Sequence, residues 1–145
     1  MFSGKMNHTI DAKGRVFIPA KYREELGDSF IVAHGFSDAY LVIYPQTEWE
    51  SLIEEIDELG LDRDARLLKR YIMTGANPTE MDSQGRIFLS QEHREYAHFE
   101  KEVSFLGMGR TIEIWDTSSL EEQTASEPVN FEDFLSKIKA HGHHI

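Results

Sequence analysis

Two segments of this chain, 71 residues apart, carry one pattern. His8-Thr9-Ile10-Asp11-Ala12-Lys13-Gly14-Arg15-Val16-Phe17-Ile18-Pro19 opens the first, and Thr79-Glu80-Met81-Asp82-Ser83-Gln84-Gly85-Arg86-Ile87-Phe88-Leu89-Ser90 opens the second. Asp11/Asp82, Gly14/Gly85, Arg15/Arg86, Phe17/Phe88, Arg23/Arg94 and Glu24/Glu95 are identical, and Ile10/Met81, Val16/Ile87 and Ile18/Leu89 stay apolar. At the same offset Leu41, Ile43 and Tyr44 fall on Ile112, Ile114 and Trp115. Chance rarely supplies D-x-x-G-R and one apolar pattern twice in register, so the chain reads as a duplication.

Each copy folds locally in the same way. A short strand ends at Ile10, and Asp-x-x-Gly makes a turn. Asp11 and Asp82 can hydrogen-bond the turn backbone, while Gly14 and Gly85 can take a positive φ that other residues resist. Arg15 to Ile18 is a second strand of β-branched and aromatic residues. Pro19 suits the first turn of a helix that runs to about Leu26, with Gly27 as its stop. Ser90 stands where the first copy has Pro19, and it can cap the following helix. Two further strands are expected at 29–33 and 39–44.

Between the copies the pattern turns helical. Trp49, Leu52, Ile53, Ile56 and Leu59 recur at helical spacing between Pro45 and Gly60. A second helix spans 62–74, and Gly75-Ala76-Asn77-Pro78 breaks it. After the second copy, 121–130 reads as a polar linker, and Phe131, Phe134, Leu135 and Ile138 form a short amphipathic helix before a frayed tail. The expected units are 5–47 and 76–119 for the repeats, 48–75 for the helical insert, and 120–145 for the linker, helix and tail.

Length favours halves that share a core. Of 145 residues, 40% are hydrophobic, and two separate domains of about 70 residues would each be marginal. There is no Cys, which removes disulfides and thiolate metal sites. No apolar run is long enough to span a bilayer, and the N-terminal residues lack a secretion pattern. A cytoplasmic, nucleoid-associated protein is the expectation. The net charge of −11 is unevenly spread. Residues 1–23 hold Lys5, Lys13, Arg15, Lys21 and Arg23 against Asp11 alone. Glu48, Glu50, Glu54, Glu55, Asp57 and Glu58 face no Lys or Arg within 48–58. A basic face opposite an acidic one is compatible with this, so bulk charge neither supports nor excludes a nucleic-acid partner.

The two D-x-x-G-R turns carry the functional argument. One copy alone reads most simply as a shaped hairpin with a surface Arg–Asp pair. Two copies related by pseudo-twofold symmetry match the local twofold symmetry of duplex DNA, whose major groove admits a β-ribbon. Arg15 and Arg86 can each donate two hydrogen bonds to guanine O6 and N7, Lys13 can reach a phosphate, and Gln84 can read adenine or position the loop. Asp11, Gly14, Asp82 and Gly85 shape the loops.

The segment from Asp11 to Glu24 resembles the first half of an MraZ protein. Its D-x-x-G-R-φ-x-I-P-x-x-x-R core is similar to the wider AbrB family of swapped-hairpin DNA binders. Met1-Phe2, the run from Tyr44-Pro45 to Trp49-Glu50, the second D-x-x-G-R, and Ile112-Glu113-Ile114-Trp115-Asp116 extend the likeness over roughly residues 1–120. The resemblance implies an α+β fold, mainly β, in which two tandem AbrB-like swapped-hairpin halves form one double-split β-barrel. It also implies a ring-like homo-oligomer. The expected partner is double-stranded DNA with repeated operator boxes, upstream of the family's own cell-division and cell-wall gene cluster, where the protein represses.

Other constellations point elsewhere only weakly. His141, His143 and His144 have no acidic or Cys ligand near in sequence, so a metal site is not expected. Gly107-Met108-Gly109 lacks the third Gly and the strand–helix setting of a nucleotide site. No Ser-His-Asp or paired-carboxylate arrangement can be assigned. No cofactor, small-molecule substrate or membrane partner is expected, and the chain is not read as an enzyme. The competing function is a protein-interaction scaffold in which the barrel is a structural core and the acidic helices do the work; a small hydrolase ranks below both.

Overall fold

Why the two repeats need each other is visible in the strand pairing. The structure is a computed structural model that describes residues 1–143. The first repeat comprises β1 (Lys5–Thr9), β2 (Arg15–Phe17), α1 (Ala20–Leu26), β3 (Ser29–His34) and β4 (Leu41–Pro45); the insert is α2 (Gln46–Glu58) and α3 (Arg63–Thr74). The second repeat comprises β5 (Asn77–Glu80), β6 (Arg86–Phe88), α4 (Gln91–Tyr96), β7 (Glu102–Gly107) and β8 (Ile112–Asp116), followed by α5 (Thr117–Ser126) and α6 (Phe131–Ala140). A six-stranded sheet has the order β1-β7-β8-β4-β3-β5, and β2 and β6 form a separate two-stranded ribbon. All pairings are antiparallel. The first strand of each repeat pairs with the third strand of the other. Neither repeat can complete its hydrogen bonding alone, and unpaired strand edges are costly to leave open.

The pseudo-twofold axis can be placed from the registers. Val16 lies opposite Ile87 in the ribbon, and Val42 lies opposite Glu113 in the sheet. In both cases a residue faces its own repeat counterpart. The offset of 71 residues does not hold throughout, however. β7 begins at Glu102 and β3 at Ser29, a spacing of 73. α4 is one residue shorter than α1 and the connection after it three residues longer, a net gain of two, and the β7–β8 connection is two residues shorter than the β3–β4 one. With that slip included, β1–β7 and β3–β5 have equivalent registers.

The fold is α+β with antiparallel strands, as expected, but it is not mainly β, since the described helices hold more residues than the strands, and the strand ladder is open. β1 and β5 are its edges, and the three-residue β2 and β6 hydrogen-bond as strands only to each other. The hydrogen-bond ladder of the described residues therefore does not itself close into a barrel. Ala39 and Tyr40 also fall outside β4; the Tyr40 ring stacks on Trp115 at 4.7 Å.

One core serves both halves. Val16, Phe30, Ile43, Ile87, Phe105 and Ile114 belong to a single buried cluster drawn from both repeats. Burying each such side chain contributes about 1.5–3 kcal/mol. Strands β3 and β4 have a second apolar face, where Ile31, Ala33, Val42 and Tyr44 pack with Trp49 and Leu52 of α2. Two of the periodic residues of the insert helix thus cover the back of the sheet, Ile56 is buried and Leu59 is exposed. α3 starts at Asp62, whose carboxylate accepts from Ala65 N at 2.8 Å. Its Tyr71 hydroxyl donates to Gly35 O at 2.7 Å and meets the Tyr96 hydroxyl at 2.8 Å, fastening the insert to both repeats. His34 stacks on Tyr96 at 3.8 Å in the same junction, where burial, then His93, pushes its pKa down.

The expected linker at 121–130 is helical as far as Ser126. Asp116 caps α5 by accepting from Ser119 N at 3.1 Å, so a cap, rather than an apolar stripe, starts this helix. α6 forms where its apolar spacing predicts, but none of its residues is buried. No described helix is long and apolar enough to cross a membrane. His141 Nδ1 donates to Lys137 O at 2.7 Å at the end of α6. His144 lies outside the described residues.

Candidate nucleic-acid interface

Each D-x-x-G-R loop is closed by its aspartate. Asp11 Oδ1 accepts from the backbone N–H groups of Lys13 (2.9 Å) and Arg15 (2.8 Å), and Oδ2 accepts from Arg15 Nε at 2.8 Å. Asp82 does the same with Gln84 (2.9 Å), Arg86 (2.9 Å) and Arg86 Nε (2.8 Å). Gly14 and Gly85 have φ of 84° and 85°, a region that a Cβ disfavours. The Arg15 backbone N–H bond is the main reason the Asp11 carboxyl sits below the ordinary carboxylate range, and Arg86 does this for Asp82. Both aspartates are therefore ionised at neutral pH. The Ser90-for-Pro19 difference does not reach the loops; Ser90 accepts from His93 N at 3.1 Å and caps α4.

The ribbon joins the two loops into one unit. Because β2 and β6 are antiparallel, the loops stand at its opposite ends. Strand alternation turns Val16 and Ile87 into the core and Arg15, Phe17, Arg86 and Phe88 outward. Arg15 lies opposite Phe88, and Phe17 opposite Arg86. The two arginines are diagonal neighbours, with Cα atoms about 8 Å apart. The aspartates occupy the Nε edges and leave the terminal Nη groups without a hydrogen-bond partner among the described residues. Arg15 is the more open, at 34% side-chain exposure against 21% for Arg86. Arg86 is partly covered because its guanidinium lies over the Phe17 ring at 5.9 Å. Lys13 and Gln84 are exposed at matching positions in the two turns, and neither side chain is hydrogen-bonded among the described residues.

Two further arginines belong to this arrangement. Arg23 Nε donates to Ile18 O at 2.9 Å, and Arg94 Nε donates to Leu89 O at 3.0 Å. Each guanidinium then lies against the loop glycine of the other repeat: Arg23 at Gly85, Arg94 at Gly14. Ile18 N–H also donates to Gly85 O, and Leu89 N–H to Gly14 O, both at 2.9 Å. Each loop is therefore positioned by the opposite repeat. The identity of Arg23 and Arg94 across the repeats was the available signal, but a contact made in trans cannot be read from linear spacing.

This packing makes the glycines unequal. A Cβ on Gly85 would meet Arg23 Cζ at 2.4 Å, whereas one on Gly14 would meet Arg94 Cζ at 3.0 Å. Positive φ alone costs an alanine about 1–2 kcal/mol. Gly85→Ala is expected to destabilise the protein by more than Gly14→Ala, because Arg23 must also leave the carbonyl of Ile18. Urea melts of the two variants test this. An equal or smaller effect at Gly85 would contradict the trans contact.

Comparison with known proteins agrees with the duplicated architecture. The family described as "MraZ protein, putative antitoxin-like" matches twice in tandem, over residues 1–71 and 72–141. A Transcriptional regulator MraZ from Caldanaerobacter subterraneus subsp. tengcongensis is 43% identical over 139 residues, covering 95% of this chain and 96% of the relative. That of Carboxydothermus hydrogenoformans is 42% identical over 139 residues, with the same coverage. That of Lachnoclostridium phytofermentans is 39% identical over 138 residues, covering 95% and 97%. With the whole repeat pair matched and the likeness running through both Asp-buttressed loops, the chain belongs to the MraZ family.

Proposed function

We propose that the chain is a sequence-specific DNA-binding transcriptional regulator that represses its own operon, a cell-division and cell-wall gene cluster. The observation that carries this reading is the pair of Asp-buttressed arginines on one twofold ribbon. A two-stranded ribbon fits the major groove. Holding Nε fixes each guanidinium plane and leaves the Nη groups for guanine O6 and N7. Lys13 reaches a phosphate, and Gln84 reads adenine or orients the second loop. The relatives' name, transcriptional regulator, supports the same function.

In this reading the exchanged first strands are the product of two fused AbrB-like swapped-hairpin units, 5–47 and 76–119, which together make a double-split barrel. The insert at 48–75 and the C-terminal segment 120–145 link copies into a ring-like homo-oligomer on nucleoid DNA. The exposed Phe131, Phe134 and Leu135 of α6, and Leu67 and Met73 of α3, are apolar surface available for such contacts.

The test is binding to the DNA upstream of the gene at increasing salt. A regulator that neutralises six phosphates should lose about a thousandfold in affinity between 50 and 200 mM salt, and it should retain a preference for its own boxes. Absence of any such preference, with capture of protein partners through the acidic α2 face instead, would favour the scaffold.

A further inference from the structure

The outward face of the ribbon holds two aromatic rings that the arginine reading does not use. Phe17 and Phe88 are 41% and 60% exposed, although both sit in strands whose neighbours Val16 and Ile87 are fully buried. Their exposure follows from the pleat: one face of a three-residue strand goes to the core, and the other face is uncovered. Solvent exposure of two large apolar rings at one spot is unfavourable for the free protein. The rings are also diagonal neighbours across the twofold axis, as the arginines are.

Their surroundings narrow the ligand. Each Phe lies directly opposite an Arg and two residues along the strand from the other. Two residues of strand span about 6.7 Å, close to two base-pair steps at about 3.4 Å each. If the guanidinium groups reach guanine edges, the rings enter the same groove within one or two base pairs of them. A phenyl ring neither donates to nor accepts from the polar base edges there. The apolar group that the major-groove edge displays is the C5-methyl of thymine.

We propose that Phe17 and Phe88 are specificity-determining residues that contact thymine methyl groups beside the guanines read by Arg86 and Arg15. This rests on the DNA-binding reading above. Phe88 is the freer ring, since Phe17 carries the Arg86 guanidinium at 5.9 Å. Each methyl buried against a ring is worth about fourfold in affinity, the equivalent of one buried methylene.

The experiment uses the full chain and a duplex that it selects from a random pool. The selected duplex is then made with every thymine replaced by deoxyuridine, which removes only the C5-methyl groups. The wild type is expected to prefer the thymine duplex by about fourfold for each methyl touched. Phe17→Ala/Phe88→Ala should lose that preference while keeping salt-dependent binding and its preference for guanine. Phe88→Leu, which keeps an apolar side chain, should retain part of it. Equal wild-type affinity for the two duplexes, or an unchanged thymine-to-uridine ratio in the double variant, overturns the proposal and leaves the arginine reading standing. A wild-type chain that selects no duplex at all overturns both.

Discussion

Arg15→Ala is expected to abolish specific DNA binding while leaving the protein folded. A bidentate arginine–guanine contact supplies about 1–3 kcal/mol of discrimination, or about five- to 150-fold per box. The loss should fall at the upper end. Removing Arg15 leaves the ionised Asp11 unpaired beside the phosphates, so repulsion adds to the missing contact. Stability should change little, because a half-exposed Arg–Asp pair is worth about 0–1 kcal/mol and Asp11 keeps its two backbone N–H donors. Arg86→Ala should weaken binding less, since that guanidinium is less exposed and already engaged with Phe17. Arg15→Lys separates charge from geometry: it keeps attraction to phosphate but loses the planar fork, so specificity should fall more than total affinity. Operator and scrambled-duplex titrations, with circular dichroism, measure each quantity. A folded Arg15→Ala variant with near-wild-type preference for its operator would sink the assignment.

The local features of the two loops were legible because they are local. Asp11 and Gly14 act within five residues, so turn chemistry can be read from their spacing, and the repeat made the same reading twice. The insert helix α2 was legible because Trp49 and Leu52, at helical spacing, cover one sheet face. Other features depend on distant parts of the chain. The slip of β7 against β3 is absorbed by two loops that carry no pattern of their own. α5 has too few apolar residues to show a period, and it depends on the Asp116 cap. Arg23 and Arg94 act across the twofold axis, so their role appears only once Gly85 and Gly14 are seen beneath them. The barrel expected from the family likeness is open in the ladder because β2 and β6 spend their strand hydrogen bonds on each other.

Operator DNA with half a helical turn inserted between boxes is expected to bind far more weakly than DNA with the natural spacing. The cause is multivalency. One chain offers one ribbon, with two arginines about 8 Å apart, which is enough to read a few base pairs. No residue of α6 is buried; in the proposed ring its apolar face would join neighbouring copies, and joined copies would present several ribbons at fixed separation. After one ribbon binds, the next meets its box at high effective concentration, and avidity can exceed the single-site affinity by about 10²–10⁴-fold. An insertion of about 5 base pairs turns the second box to the opposite side of the duplex. A rigid ring then cannot engage both boxes, and that gain is lost, whereas an insertion of about 10 base pairs should restore much of it. The anionic remainder of the chain discourages rescue by non-specific wrapping. Light scattering should give a mass several times 16.7 kDa, and Phe131→Asp/Phe134→Asp should lower both the mass and the phasing dependence together. A monodisperse monomer, or affinity indifferent to phasing, would remove the ring while leaving the ribbon and its arginines as the DNA contact.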